Sequence, residues 1–227
     1  MFQRQGGAAV VSAPAQQVQT METNKVIRNT YMLLSMTLLF STLTAGVAIM
    51  SNAAPLHWLL SLGGSLLLLF GVMWTRNSAM ALPMVFAFTG FFGYTLGPTI
   101  NLYLSLPHGS ETVMTAMGLT AGIFLSLSAY ALTTKKDFSF LSGFLFAGLM
   151  VIIIASLVGI FVEISGLQLM ISSAAVLIFS GYILYDTSAI VRGGQTNYVM
   201  ATVSLYLDIV NLFMNLLYLV QALSGDD

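Results

Sequence analysis

Cysteine is absent from the 227 residues, which excludes disulfides, thiolate metal sites and a cysteine nucleophile. Charge is nearly absent too: Asp, Glu, Lys and Arg make up 7% of the chain, against roughly a quarter in a soluble domain. So few charges cannot cover a water-facing surface. A chain that is 57% hydrophobic must meet lipid over most of its outside. A net charge of −1 gives no electrostatic footprint for nucleic acid. The opening residues lack the sustained apolar core of a signal peptide. Neither a G-x-S-x-G elbow, a Walker loop nor an H-E-x-x-H motif occurs, and no His–carboxylate cluster has metal-ligand spacing. His57, beside Trp58, reads as part of an interfacial belt, and His108 as solvated. The sequence makes no case for an enzyme.

What the chain does have is long apolar runs. Residues 1–24 are rich in Gln, Ala, Gly and Ser without periodicity and read as a flexible tail. Residues 25–227 read as one membrane domain. Seven apolar segments of about 20 residues follow, at 30–50, 56–74, 79–103, 112–133, 139–161, 167–191 and 199–223. About 20 helical residues cross a hydrocarbon layer roughly 30 Å thick. Barrel strands are shorter and alternate, so the expected fold is all-α, a bundle of seven transmembrane helices with short links.

Lysine and arginine are missing from one side of that arrangement. Arg4, Lys25, Arg28, Arg76, Lys135, Lys136 and Arg192 all fall on the other, and Glu111, Glu163, Asp226 and Asp227 occupy the side without them. The positive-inside rule then predicts a cytoplasmic N-terminus and a periplasmic C-terminus. A miscounted segment would scramble the segregation, so the charges support the count of seven.

Two segments carry unusual residues. In the third, "FTGFFGYTLGPTIN", Gly90, Tyr94, Gly97 and Asn101 share a helical face with Gly93 beside them. Small residues at this spacing let helices approach closely. Pro98 removes a backbone donor and is expected to kink the helix, so the segment is either a tight packing surface or a hinge or pore-lining break. In the seventh, Ser204, Asp208, Asn211, Asn215 and Tyr218 recur in steps of four, three, four and three. At about 100° per residue they fall within a stripe roughly 80° wide. Such a polar seam faces protein or water rather than lipid.

Asp208 therefore needs company, and Asp186, near the end of the sixth segment, offers it across a short link. Counted from the link, the two depths differ by roughly 6 Å, about one helical turn. Two carboxylates in low dielectric cannot both stay ionised unaided, and they titrate as a unit. A shared proton, an arginine or a cation would stabilise them. Arg76 and Arg28 end their helices on the same side, and Arg76 is the favoured partner. Asp186 and Asp208 with Asn211 and backbone oxygens make at most a weak Ca²⁺ site, since that cation takes six or more oxygens. The competing readings are that Asp208 is structural, locking helices together through hydrogen bonds, and that Asp186, near the interface, is simply solvated.

The stretches "NKVIRNTYMLLSMTL", "FAFTGFFGYTLGPTIN", "SAYALTTKKDFSFLSG", "LYDTSAI" and "GGQTNYVMATVSLYLDIVNLF" resemble the Bax inhibitor-1 family, nearest to its bacterial YccA-like branch. The resemblance covers nearly the whole chain after the tail. It implies a seven-helix bundle in the bacterial inner membrane, one helix central to the others, with no catalytic activity and no cofactor. It implies association with a membrane-anchored AAA protease of FtsH type, as its modulator and also its substrate. Other members of the family conduct a pH-sensitive Ca²⁺ leak gated by an aspartate pair, which corresponds to Asp186 and Asp208.

Overall fold

The computed structural model describes residues 13–162 and 164–224. Seven α-helices follow one another: α1 Ala13–Met50, α2 Trp58–Thr75, α3 Ala81–Leu104, α4 Gly109–Thr134, α5 Ser142–Phe161, α6 Leu167–Val191 and α7 Tyr198–Ser224. A 3-10 turn, Ser139–Leu141, leads into α5. Each expected segment is met by a helix whose ends differ from it by a few residues, except at the start of α1. That helix begins at Ala13, so residues 13–24 are helical where the sequence suggested an unstructured tail. Pro14 sits in the first turn, where a missing N–H does no harm, and "AQQVQTMETNK" contains no later breaker. The remainder of the expected tail, along with Glu163, Asp226 and Asp227, lies outside the described residues.

Six of the seven helices are long and apolar enough to cross a membrane: α1 from Met21, α2, α4, α5 with its 3-10 turn, α6 and α7. The count of seven crossings is thus met on this measure by six. The exception is α3, in which Gly90, Gly93, Gly97, Thr89, Thr95, Pro98 and Asn101 dilute the hydropathy. Three of them, Gly90, Gly93 and Gly97, bring it close to α1.

α7 is the central helix. It packs against α1, α3, α4 and α6, and its buried residues are spread around its circumference. A helix apolar on nearly every side belongs inside a bundle. Among the described residues α2 leans chiefly on α3, and α5 on α6 and the 3-10 turn, so both turn most of their surface outward. Trp74 and Phe161 are among the exposed side chains on them, as a lipid-facing surface requires.

The helix ends are tied by short-range chemistry. α6 closes at Gly193, whose φ of 74° lets the backbone turn back and its N–H donate to Ile190 O at 3.1 Å. Asn197 then opens α7: its Oδ1 accepts from the N–H groups of Val199 and Met200, while its Nδ2 donates to Arg76 O at 3.0 Å and Asn77 Oδ1 at 2.9 Å. The Arg192 guanidinium pairs with Asp137 at 2.9 Å. These contacts bring the α2–α3, α4–α5 and α6–α7 links to one end of the bundle. Lys25 joins them there, across a crevice from Gly193 and Gln195. The clustering of cations on one side, read from the sequence, is thus a cluster in space among the described residues.

Candidate functional site

α6 and α7 are antiparallel neighbours, and their packing closes the one-turn gap between the two acids. The carboxyl groups of Asp186 and Asp208 lie within hydrogen-bonding reach of each other. Ser204, one turn before Asp208 on α7, lies beside Asp186. Asp208 is 6% exposed, and its Oδ2 is buried with no hydrogen-bond partner among the described residues. Two carboxyls in such contact need a proton or a cation between them. Tyr182, one turn before Asp186, lies within electrostatic range of both. Its place four residues upstream in "GYILYD" was the signal that could have found it.

The expected arginine partners do not arrive. Among the described residues no ion pair joins Arg28 or Arg76 to either acid. Arg76 is the C-cap of α2, and its carbonyl serves Asn197. Among the described residues Arg192 forms an inter-element pair, with Asp137 of the α4–α5 link. Asn211 and Asn215 also stay apart from the acids: their Nδ2 groups donate to Leu207 O and Asn211 O, each at 2.8 Å, one turn back on the same helix. The polar seam therefore splits into an acidic contact and two amides that bond to their own backbone. Two carboxyls and a hydroxyl offer Ca²⁺ fewer oxygens than it takes.

Below the pair, a second cluster closes the same end of the bundle. Ser188 Oγ donates to Lys136 O at 2.9 Å and accepts from Phe138 N–H at 3.3 Å. Asp137 Oδ1 accepts from Ser139 N–H at 2.9 Å, which starts the 3-10 turn. The backbone and side chain of Ser139, and then the Arg192 guanidinium, hold the Asp137 carboxyl below its ordinary range. The α4–α5 link is thereby fastened to α6 at Ser188, two residues beyond Asp186, and at Arg192, just past the helix end. "TKKDF" reads as a plain solvated link, so nothing in it announced this role.

The opposite side of α7 carries a polar contact that sequence reasoning missed. Tyr206 is fully buried, with its hydroxyl 2.7 Å from Ser41 Oγ and 3.3 Å from Thr89 O. A phenol has one proton. Given to the Thr89 carbonyl, it leaves Ser41 as donor to the phenol oxygen. The rings of Phe88 and Phe92 meet Tyr206 edge-on at 6.0 and 6.1 Å. Gly93 lies at this junction, where a Cβ would strike Ser41 O and Oγ and Thr44 Oγ1. At Gly97 a Cβ would sit 2.5 Å from Ala48 Cβ, and at Gly90 2.5 Å from the Phe40 ring. The glycine face thus packs against α1. Its centre is Gly93 and Gly97, with Tyr94 turned outward. α3 runs unbroken through Pro98 to Leu104.

The family model described as inhibitor of apoptosis-promoting Bax1 matches residues 23–225. An uncharacterized protein of Pseudomonas aeruginosa is 50% identical, across 91% of this chain and 93% of its own length. A protein of Escherichia coli named modulator of FtsH protease YccA is 44% identical over 96% of this chain and 99% of its own. The corresponding protein of a second Escherichia coli strain, at the same identity and coverage, is named inner membrane protein YccA.

Proposed function

The chain belongs to the family of inhibitors of apoptosis-promoting Bax1, and from that premise we propose that it is a non-enzymatic bacterial inner-membrane protein that modulates a membrane-anchored protease of FtsH type. One observation carries this reading: a protein named for that modulation is 44% identical across nearly the full length of both chains. Similarity of that extent includes the helices that build the lipid-facing surface, not only a local motif. In the proposed topology all seven helices cross, with the N-terminus and the cationic end cytoplasmic and the C-terminus periplasmic. α3 crosses as the seventh because Gly90, Gly93 and Gly97 are covered by α1, and Thr89 meets Tyr206 of α7, rather than being offered to lipid. The first turns of α1 then stand in the cytoplasm, where a AAA protease could engage the chain as modulator and as substrate. Affinity-tagged chain in native membranes should co-purify with the protease and slow turnover of a second membrane substrate. Unchanged turnover, with no association in mild detergent, refutes the proposal; deletion of residues 1–24 tests whether the N-terminal segment is the point of contact.

The contact between Asp186 and Asp208 favours a second, compatible reading, a proton-sensitive cation leak. Here the shared proton holds α6 and α7 in one packing, and its loss favours another. Ca²⁺ is the passing ion rather than a resident one. Flux into liposomes, followed against pH, should lose its pH dependence in Asp208→Asn. A variant profile that overlays the wild type removes Asp208 from the gate.

A further inference from the structure

In the half of the bundle remote from the cationic end, α1 and α4 stand apart above α3 and α7 and leave a cleft of about 560 Å³. Its mouth is formed by Thr42, Ala121 and Leu125, which are exposed, and its floor by Ala45, Gly93 and Val210, which are buried. Among the described residues no Asp, Glu, Lys or Arg lines it. The hydroxyls that do line it are already engaged. Ser41 is bonded to Tyr206, Thr42 Oγ1 donates to Leu38 O at 2.8 Å, and Thr120 Oγ1 donates to Ala116 O at 2.7 Å. With no free donor or charge, the cleft offers an occupant only dispersion contacts.

Size decides between apolar occupants. A membrane-spanning helix about 10 Å wide and 30 Å long occupies on the order of 2,400 Å³. The cleft holds less than a quarter of that, so a partner helix could lie across its mouth and leave it unfilled. A single hydrocarbon chain is narrow enough to enter. We propose that this cleft binds one acyl chain of a membrane phospholipid, inserted between α1 and α4 down to the Gly93–Ser41–Tyr206 junction. Gly46 makes the site testable: it lines the cleft, and a Cβ added there meets nothing within 4 Å. A larger side chain at this position therefore enters open space at the cleft wall rather than the packed protein.

The full chain would be reconstituted in phosphatidylethanolamine–phosphatidylglycerol vesicles containing a phospholipid with a diazirine midway along one tail. Adducts formed on irradiation would be mapped by mass spectrometry. Adducts should concentrate around Thr42–Gly46 and Ala121–Leu125, in excess over α2 and α5, which face lipid without a cleft. Gly46→Leu and, from the opposite wall, Ala121→Phe should each abolish that excess while leaving the thermal midpoint of the detergent-solubilised protein in place. Adducts spread evenly over α1, α2, α4 and α5 overturn the proposal, as does an excess that survives both substitutions. Protein–protein crosslinks between α1 or α4 and another helix, with lipid adducts missing there, overturn it in favour of a protein partner.

Discussion

Tyr206 and Asp208 are two residues apart on α7, about 200° around it, and they solve the same problem differently. Each places a polar group among apolar side chains. Tyr206 is satisfied by Ser41 and Thr89, so its contribution is structural. Tyr206→Phe keeps the ring contacts but removes a second hydrogen bond to the Thr89 carbonyl and takes the phenol away from the Ser41 hydroxyl, and should lower stability by about 1–2 kcal/mol. Ser41→Ala in the same background should add less than it does alone, as a double-mutant cycle by thermal unfolding in detergent would read. Asp137, outside the membrane segments, gives a pH-dependent test. Its folded carboxyl titrates below the ordinary range, so its stabilisation is present above the unfolded value of about 3.9 and is lost as pH falls through the folded one. Asp137→Asn should thus lower the thermal midpoint at neutral pH, and the difference should vanish on acidification. A difference that persists at low pH would mean that the Ser139 and Arg192 contacts are not its source.

At the scale of elements, the α1–α3 pair is set by small residues. Gly93 and Gly97 let α3 approach Ser41, Thr44, Ala45 and Ala48 of α1. In lipid, close packing replaces the hydrophobic drive that brings helices together in water. Gly93→Ala forces the helices apart and should lower the thermal midpoint markedly, by several kcal/mol if the backbones cannot yield. Gly46→Ala, on α1 but facing the cleft, should instead be neutral or stabilising by up to about 1 kcal/mol, the helix-propensity difference. Equal effects at the two positions would show that propensity rather than contact governs this pair. The spacing of the glycines was legible in the sequence. Which of their neighbours faced α1 was not, because the rotation of a helix is fixed by its partner, and Tyr94 lies on the edge of the face rather than in it.

At the scale of the whole molecule, the arrangement follows from the central position of α7. Six helices and a short turn surround or flank it, so a polar residue on any side of α7 finds protein rather than lipid. That is why one helix can hold the Asp186–Asp208 contact on one side and the Tyr206 contact on the other. The gathering of the described cations at one end leads to a further expectation. Alkaline phosphatase fused after α7 should be active and fused after Lys136 inactive, because the enzyme folds only outside the cytoplasm. The reverse pattern, or activity at both points, would dismantle the proposed topology and with it the cytoplasmic placement of the start of α1.

The amino-acid sequence by itself determined that the chain is helical, where each helix runs to within a few residues except at the start of α1, and which links carry the positive charge. These depend on local quantities: the length of an apolar run, the turn residues that end it, and the charge placed between runs. It also marked Asp186 and Asp208 as a pair, since a short link restricts how far apart two neighbouring helices can carry them. Only the tertiary structure decided what surrounds that pair. It supplied Ser204 and Tyr182 instead of Arg76 or Arg28, turned Asn211 and Asn215 back onto their own helix, and fastened Arg192 to Asp137. Those outcomes depend on helix rotation and on contacts between residues as distant as Ser41 and Tyr206, and no local pattern encodes either.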